Sequence, residues 1–216
     1  MYRIICTTLC LAGFFAQNVW AAKEFIYCSE GSPSIFNPQL ASDGATNNAT
    51  HSIYSRLIDF LPGTTRLMPA LAVSWEISKD GKQYTFSLRK NVQFHSSKDF
   101  TPTRTFNADD VLFSFNRQRL ENHPYHGVGD LPYQYFYSMG LDEIIADIQK
   151  VDDYTVRFLL TKPDNTFLAA LAMTFSSILS KEYADILSVQ DRKTMLDAQP
   201  IGTGPFVFQR CTKTQP

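Results

Sequence analysis

A surplus of one charge sign is the first thing this chain lacks. Its 20 Lys and Arg residues stand against 21 Asp and Glu, a formal net charge of -1. There is therefore no basic field of the kind that holds a polyanion, and nucleic acid is excluded as a partner. No Cys-x-x-Cys pair occurs among the four cysteines, which removes the motif on which many redox and zinc sites are built. The G-x-S-x-G elbow of serine hydrolases is missing as well. Gly202-Thr203-Gly204 has neither the lysine of a P-loop nor the spacing of a dinucleotide fingerprint, so it reads as a tight turn. Of the histidines His51, His95, His123 and His126, only the last two have a metal-like spacing. Pro124 between them breaks the helix on which such pairs face one ion, and no third ligand or base accompanies them. These absences lead to the expectation of no enzyme, no metal and no cofactor.

Long apolar runs are also scarce. Phe167 to Leu179 is too short to span a bilayer. The first residues, "MYRIICTTLCLAGFFAQNVWAAK", place Arg3 ahead of an apolar run from Ile4 to about Phe15, with small residues at Val19, Ala21 and Ala22. That order is the n-region, h-region and cleavage site of a secretory signal peptide, so residues 1–21 are expected to be removed after Ala21. Cys10 lacks the small residue that precedes a lipidated cysteine, which favours soluble export over a lipid anchor. Cys6 and Cys10 would leave with the leader. Cys28 and Cys211 would remain, and in an oxidising compartment they could pair if they approach closely enough.

What is present is ample core material, 44% hydrophobic and 13% aromatic residues, enough for one large or two small packed units. "EFIYCSE" (Glu24 to Glu30) reads as a first strand, and the turn formers of "GSPSIFNPQ" follow it. In "ATNNATHSIYSRLIDF", Ile53, Leu57 and Phe60 recur at helical spacing, with Asp43 or Thr46 available as a cap. Trp75 and Ile77 alternate with polar neighbours, Asp80-Gly81 supplies a turn, and Tyr84, Phe86 and Leu88 resume the alternation, which predicts a β-hairpin with one buried face. A helix follows in "FNADDVLFSFNRQRL", capped by Asn107, with Asp109 and Asp110 in its first turn and Arg117 and Arg119 towards its end. Val111, Leu112 and Phe115 form its apolar stripe. A second hairpin is predicted in "ADIQKVDDYTVRFLLTKP", turning at Asp152-Asp153 with Val156 and Phe158 on one face. Short helices are expected in "DNTFLAALAM", "SKEYADIL" and "VQDRKTMLD", and "GTGPF" reads as a turn launching a strand. Hairpins interspersed with helices give a mixed α/β (α+β) protein.

Two clusters invite a functional reading. Asp109 and Asp110 resemble a paired-carboxylate site but are explained by the helix macrodipole. Tyr133, Tyr135 and Phe136 in "LPYQYFY" either line a binding cleft or pack a core.

Taken together, "YCSEGSPSIFNPQ", "LMPALAVSWEISKDGKQYTFSLRKNVQFH", "FTPTRTFNADDVLFSFNRQ", "KVDDYTVRFLLTKPDNTFLAALA", "SSILSKEYAD" and "PIGTGPF" resemble the extracellular solute-binding proteins of family 5, the periplasmic dipeptide and oligopeptide receptors of ABC importers. They come in the family's order from about Lys23 to Phe206, and the dipeptide branch looks closest, with haem and antimicrobial-peptide relatives sharing many of these words. The resemblance implies a fold like that of type II periplasmic binding proteins, first lobe only, with β-hairpins and short helices. It further implies a monomer that traps a short peptide between two hinged lobes and delivers it to an inner-membrane ABC permease. By resemblance, "ASDGAT" is the segment whose backbone approaches the ligand, so Ser42, Asp43, Gly44, Ala45 and Thr46 are candidate ligand-binding residues, with Tyr135 and Phe136. Relatives often carry an uncharged residue where this chain has Asp43. The same loop can equally be an N-cap for the helix after it.

Family members are more than twice this length, and the "GYW" region and second lobe that follow "GTGPF" in the family are replaced here by "VFQRCTKTQP". The expected organisation is a signal peptide over 1–21, part of an N-terminal lobe over 22–209 and a divergent tail over 210–216, a truncated receptor. The groups that grip the peptide's termini, and the disulfide partner of the family cysteine that Cys28 resembles, are implied to lie in the replaced part. The competing expectation is a small exported interaction module that traps no ligand.

Overall fold

A computed structural model describes residues 26–212. The expected signal peptide, with Cys6 and Cys10, lies outside the described residues.

The two predicted hairpins form and join edge to edge. β3 (Ala72–Ile77) and β4 (Gln83–Leu88) make the first, β5 (Ile145–Asp152) and β6 (Thr155–Leu160) the second, and the four strands form one antiparallel sheet in the order β3-β4-β6-β5. Register places Tyr84 opposite Phe158 and Phe86 opposite Val156, so the alternating apolar residues of both central strands point to one face. Phe86 and Phe158 meet edge to face at 5.7 Å. Each such buried ring contributes about 1.5–3 kcal/mol relative to leaving it in water. The first hairpin's face is less deeply buried than its alternation predicts. Trp75 is only half-buried and Ile77 is 49% exposed, because β3 is an edge strand with no neighbour beyond it among the described residues.

α2 (Ala108–Arg119) covers the apolar face, with Phe115 edge to face on Phe158 at 5.1 Å. Val111 and Phe115 are buried, and Phe113 joins them more deeply than Leu112 does. Asn107 caps the helix as expected, its side chain accepting from the Asp109 amide at 2.9 Å. Asp110 completes a capping box by accepting from the Asn107 amide at 3.0 Å. Asp110 does more than favour the macrodipole. Its buried carboxylate also takes both guanidinium nitrogens of Arg104 and the Lys181 amide at 2.8 Å, which opens α6 (Lys181–Val189). Asp109 instead pairs with Lys150 at the surface.

Two expectations fail near the start of the chain. Residues 26–30 of the predicted first strand are irregular. α1 is confined to Gly44–His51, and Ile58–Phe60 forms β1, paired antiparallel with β2 (Leu67–Pro69). Helical spacing of Ile53, Leu57 and Phe60 misleads because the carbonyls that would carry the helix forward are taken from elsewhere. The Ile53 carbonyl accepts from the Gly204 amide at 2.8 Å, and the Ser52 carbonyl from the Phe206 amide at 3.2 Å. Beyond these bonds residues 206–212 form no strand.

The remaining helices are short: α3 (Gln134–Ser138), α4 (Leu141–Ile144), α5 (Phe167–Leu171) and α7 (Met195–Ala198). No helix among the described residues is long and apolar enough to cross a membrane.

Candidate functional site

The site begins with a serine and an aspartate nine residues apart. Asp43 occupies the N-cap of α1 with extended backbone angles, φ -106° and ψ 151°. One carboxylate oxygen accepts from the Thr46 amide at 2.7 Å. The other accepts from the Ser34 hydroxyl at 2.7 Å and the Thr46 hydroxyl at 2.8 Å. Ser34 donates its own amide to the Thr46 hydroxyl at 3.0 Å, closing a four-bond knot between the entering coil and α1. The Ser34 hydroxyl above all, helped by Thr46, holds the Asp43 carboxyl below its usual range. It is an anion at neutral pH, and none of the ion pairs among the described residues involves it.

The five residues of the loop divide by exposure. Ser42 and Gly44 are exposed and Asp43 half-buried, whereas Ala45 and Thr46 are buried and shape the turn from behind. Capping and presentation are therefore done by one structure: the cap fixes the Asp43 side chain and leaves the Ser42–Gly44 backbone at the surface.

Across the chain, α3 brings Tyr135 to this loop. The Tyr135 hydroxyl donates to the Ser42 carbonyl at 3.4 Å, and its ring stacks on Phe175 at 6.3 Å with a 20° tilt. Phe136, next to it, is fully buried and belongs to the core, as does Tyr133. A groove of about 410 Å³ runs beside this contact, lined by Ser34, Ile35, Leu40, Ser42, Leu131 and Gln134 among others. Its walls combine the apolar Ile35, Leu40, Leu131 and Pro132 with the polar Ser34, Ser42 and Gln134.

Sequence reasoning missed the supports of this wall. Asn37 donates to Asp197, which in turn pairs with Arg117 at 3.2 Å, while the Arg117 Nε donates to the Tyr133 hydroxyl at 3.0 Å. The Gln39 amide reaches the Ser114 carbonyl at 3.0 Å and the Ser177 carbonyl at 3.1 Å. His95 is also structural: its Nε2 donates to the Gly204 carbonyl at 2.7 Å while Nδ1 accepts from the Gly202 amide at 3.4 Å. The partners are so far apart in sequence that no local pattern signals them.

The histidine loop holds no metal-ligand geometry. His126 Nδ1 bonds the Arg117 carbonyl at 2.8 Å, and His123 Nδ1 accepts the Tyr125 amide at 3.2 Å. Burial, with the Arg117 charge behind it, pushes His123 down to about 4. Among the described residues no three His, Cys, Asp or Glu side chains group as metal ligands.

With this geometry in place, the likeness to known proteins has content. The family described as "Bacterial extracellular solute-binding proteins, family 5 Middle" matches residues 66–215. The "Dipeptide-binding protein" of Escherichia coli (strain K12) is 54% identical over 193 residues, 89% of this chain and 36% of that protein. "Heme-binding protein A" of Haemophilus influenzae is 52% identical over 187 residues, 86% of this chain and 34% of that protein. Among solved structures, a dipeptide binding protein from Pseudoalteromonas sp. SM9913 in complex with Met-Leu superposes with a TM-score of 0.83 at 45% identity, covering 86% of this chain and 37% of that one. The fold is thus the mixed α/β fold of periplasmic binding proteins, and the chain spans about a third of the length of the relatives it matches.

Proposed function

The chain belongs to the bacterial extracellular solute-binding proteins of family 5, and from that membership we propose that it carries one wall of the peptide cleft of an ABC importer's periplasmic receptor. Relatives named for dipeptides and for peptide transport support this reading. The observation that carries it is the hydrogen bond from the Tyr135 hydroxyl to the Ser42 carbonyl beside a groove that Ser34, Ser42 and Gln134 help to line.

The chemistry of the wall is recognition without reaction. The Tyr135 hydroxyl has acceptor capacity left for a peptide N–H, and the Ser42 carbonyl keeps a second lone pair. The Asp43 anion favours a ligand that brings a positive group, such as a peptide's amino terminus or a basic side chain. Because the cap immobilises the loop beforehand, little ordering entropy is lost on binding. Closure of a second lobe over the peptide would shift the receptor towards the form that an inner-membrane permease accepts, since only the closed form makes contacts on both sides.

An isotope-labelled sample of the chain, titrated with di- and tripeptides, tests the wall by nuclear magnetic resonance. Amide shifts centred on Ser42, Gly44 and Tyr135 are expected, with weak millimolar affinity for a single wall. No perturbation there at saturating peptide would overturn the reading. The haem-named relative supports a second reading. A Soret shift on adding haemin, without any response to peptides, would favour it.

A further inference from the structure

The two ends of α1 face different surroundings. Asp43 caps its start at the candidate site, while His51 closes it about 12 Å further along the axis. There His51 lines a separate groove of about 690 Å³. Two methionines, Met68 of β2 and Met173 of the coil after α5, line the same groove. The three come from distant parts of the chain, so no spacing motif announces them.

Separate contacts draw them towards one another. Met68 stands directly opposite Asp59 in the β1–β2 pair, where cross-strand Cβ atoms are about 4.5–5.5 Å apart. Asp59 also lines the groove, close enough to His51 for its charge to act on that ring. From the other side, the Thr174 hydroxyl donates to the Asn47 side-chain oxygen at 2.9 Å. Asn47 lies one turn before His51 on α1, a spacing that puts their Cβ atoms about 5–6 Å apart. Met173 is thereby held beside that face of α1, next to Thr174.

The donors have a chemical preference. The Asp59 carboxylate is already committed to Arg56 and to the Phe60 amide, which leaves one imidazole and two thioethers. Burial, followed by the Arg56 charge, lowers the proton affinity of His51, so its ring is neutral at pH 7 and has a lone pair to give. Uncharged thioethers suit neither Mg²⁺ nor Ca²⁺, which take oxygen ligands, whereas Cu(I) accepts thioether and imidazole together. The negative end of the α1 dipole, where His51 sits, adds to the attraction for a cation.

We propose that His51, Met68 and Met173 bind one Cu(I) ion at the C-terminal end of α1. The ion takes up three neutral lone pairs, and no proton or electron is transferred. Its binding does not depend on what the cleft holds.

The test uses the full chain with Cys6→Ser, Cys10→Ser, Cys28→Ser and Cys211→Ser, because thiolates would compete for a soft metal. Cys28 and Cys211 are exposed, and neither lines this groove. Silver nitrate supplies Ag(I), a soft monovalent stand-in that does not change oxidation state. With isotope-labelled methionine methyls, one equivalent should shift the Met68 and Met173 signals and the His51 ring, and leave Met139 and Met195 in place. Competition with a chromophoric Cu(I) chelator should then give one Cu(I) per chain. Met68→Leu and His51→Gln should each weaken it by at least the roughly 10–100-fold that loss of an outer-sphere partner costs. Met68 is 36% exposed and His51 is exposed, so both variants should keep the fold. No methyl shift at one equivalent, equal shifts at Met139 or Met195, or Cu(I) affinity unchanged in both variants would each overturn the proposal.

Discussion

Arg117 and Asp197 form an ion pair at 3.2 Å with side chains 0% and 6% exposed, joining α2 to α7. Asn37 shares the carboxylate, so the same pair anchors the coil that leads to the candidate site. Removing one partner leaves the other charge buried without compensation. Asp197→Ala should therefore cost about 3–5 kcal/mol in urea unfolding. A loss below about 1 kcal/mol would show that the guanidinium finds other partners.

Acid should weaken the fold through His123. Its ordinary value of 6.5 is pushed down to about 4 by burial and by Arg117, so the unfolded chain binds the proton more readily than the folded one. The contribution is complete above pH 6.5 and is lost as pH falls from 6.5 towards 4. With solvent screening of a half-buried ring, the loss is on the order of 1–2 kcal/mol. His123→Gln should flatten that part of the stability profile, and an unchanged slope would refute the assignment. Asp43 acts at lower pH: its folded value is depressed, so its contribution is present above its ordinary 3.8 and disappears only below it.

Capping and charge at Asp43 can be separated. Asp43→Asn keeps an N-cap acceptor and should leave stability within about 0.5 kcal/mol, whereas Asp43→Ala should cost about 1 kcal/mol. If the anion selects the ligand, Asp43→Asn should nonetheless weaken the response to cationic peptides in the titration. Equal responses from both proteins would assign the residue to capping alone.

Gly202 and Gly204 have no room for a side chain. A Cβ on Gly202 would collide with the Ile53 carbonyl, and one on Gly204 with the Ser52 carbonyl. Gly204→Ala should therefore lower the thermal midpoint by many degrees or prevent soluble expression, as a strained backbone contact costs several kcal/mol. Gly31→Ala, where nothing lies within 4 Å, is the matched control and should be neutral.

Local patterns in the sequence announced the hairpins, α2 and its Asn107 cap because period, turn residues and cap all act within a few positions. Tyr84, Phe86, Val156 and Phe158 could be assigned to one face before any contact was known. The end of α1 could not, since it is set by Gly204 and Phe206, about 150 residues away in a chain of 216. Asp43 was legible as the cap of α1, and the same geometry is what the proposed site role would use. Ser34, which fixes that geometry, carried no signal of its own. The half-burial of Tyr135 and the full burial of Phe136 were likewise illegible, because adjacent aromatics on a short helix look alike until the core behind them is placed.

The bonds that end α1 also reveal how this polypeptide is threaded. Between Ser52 and Phe206 the chain leaves, builds the sheet and its covering helices, and comes back to within hydrogen-bonding distance of where it left. His95 clasps the return from inside. The sheet-bearing block is thus entered and left side by side, and Asn37, Gln39 and Asn47 bind it again at Asp197, at Ser114 and Ser177, and at Thr174. Any tilt of the block against α1 and its leading coil would have to break these bonds as well as those at the threshold.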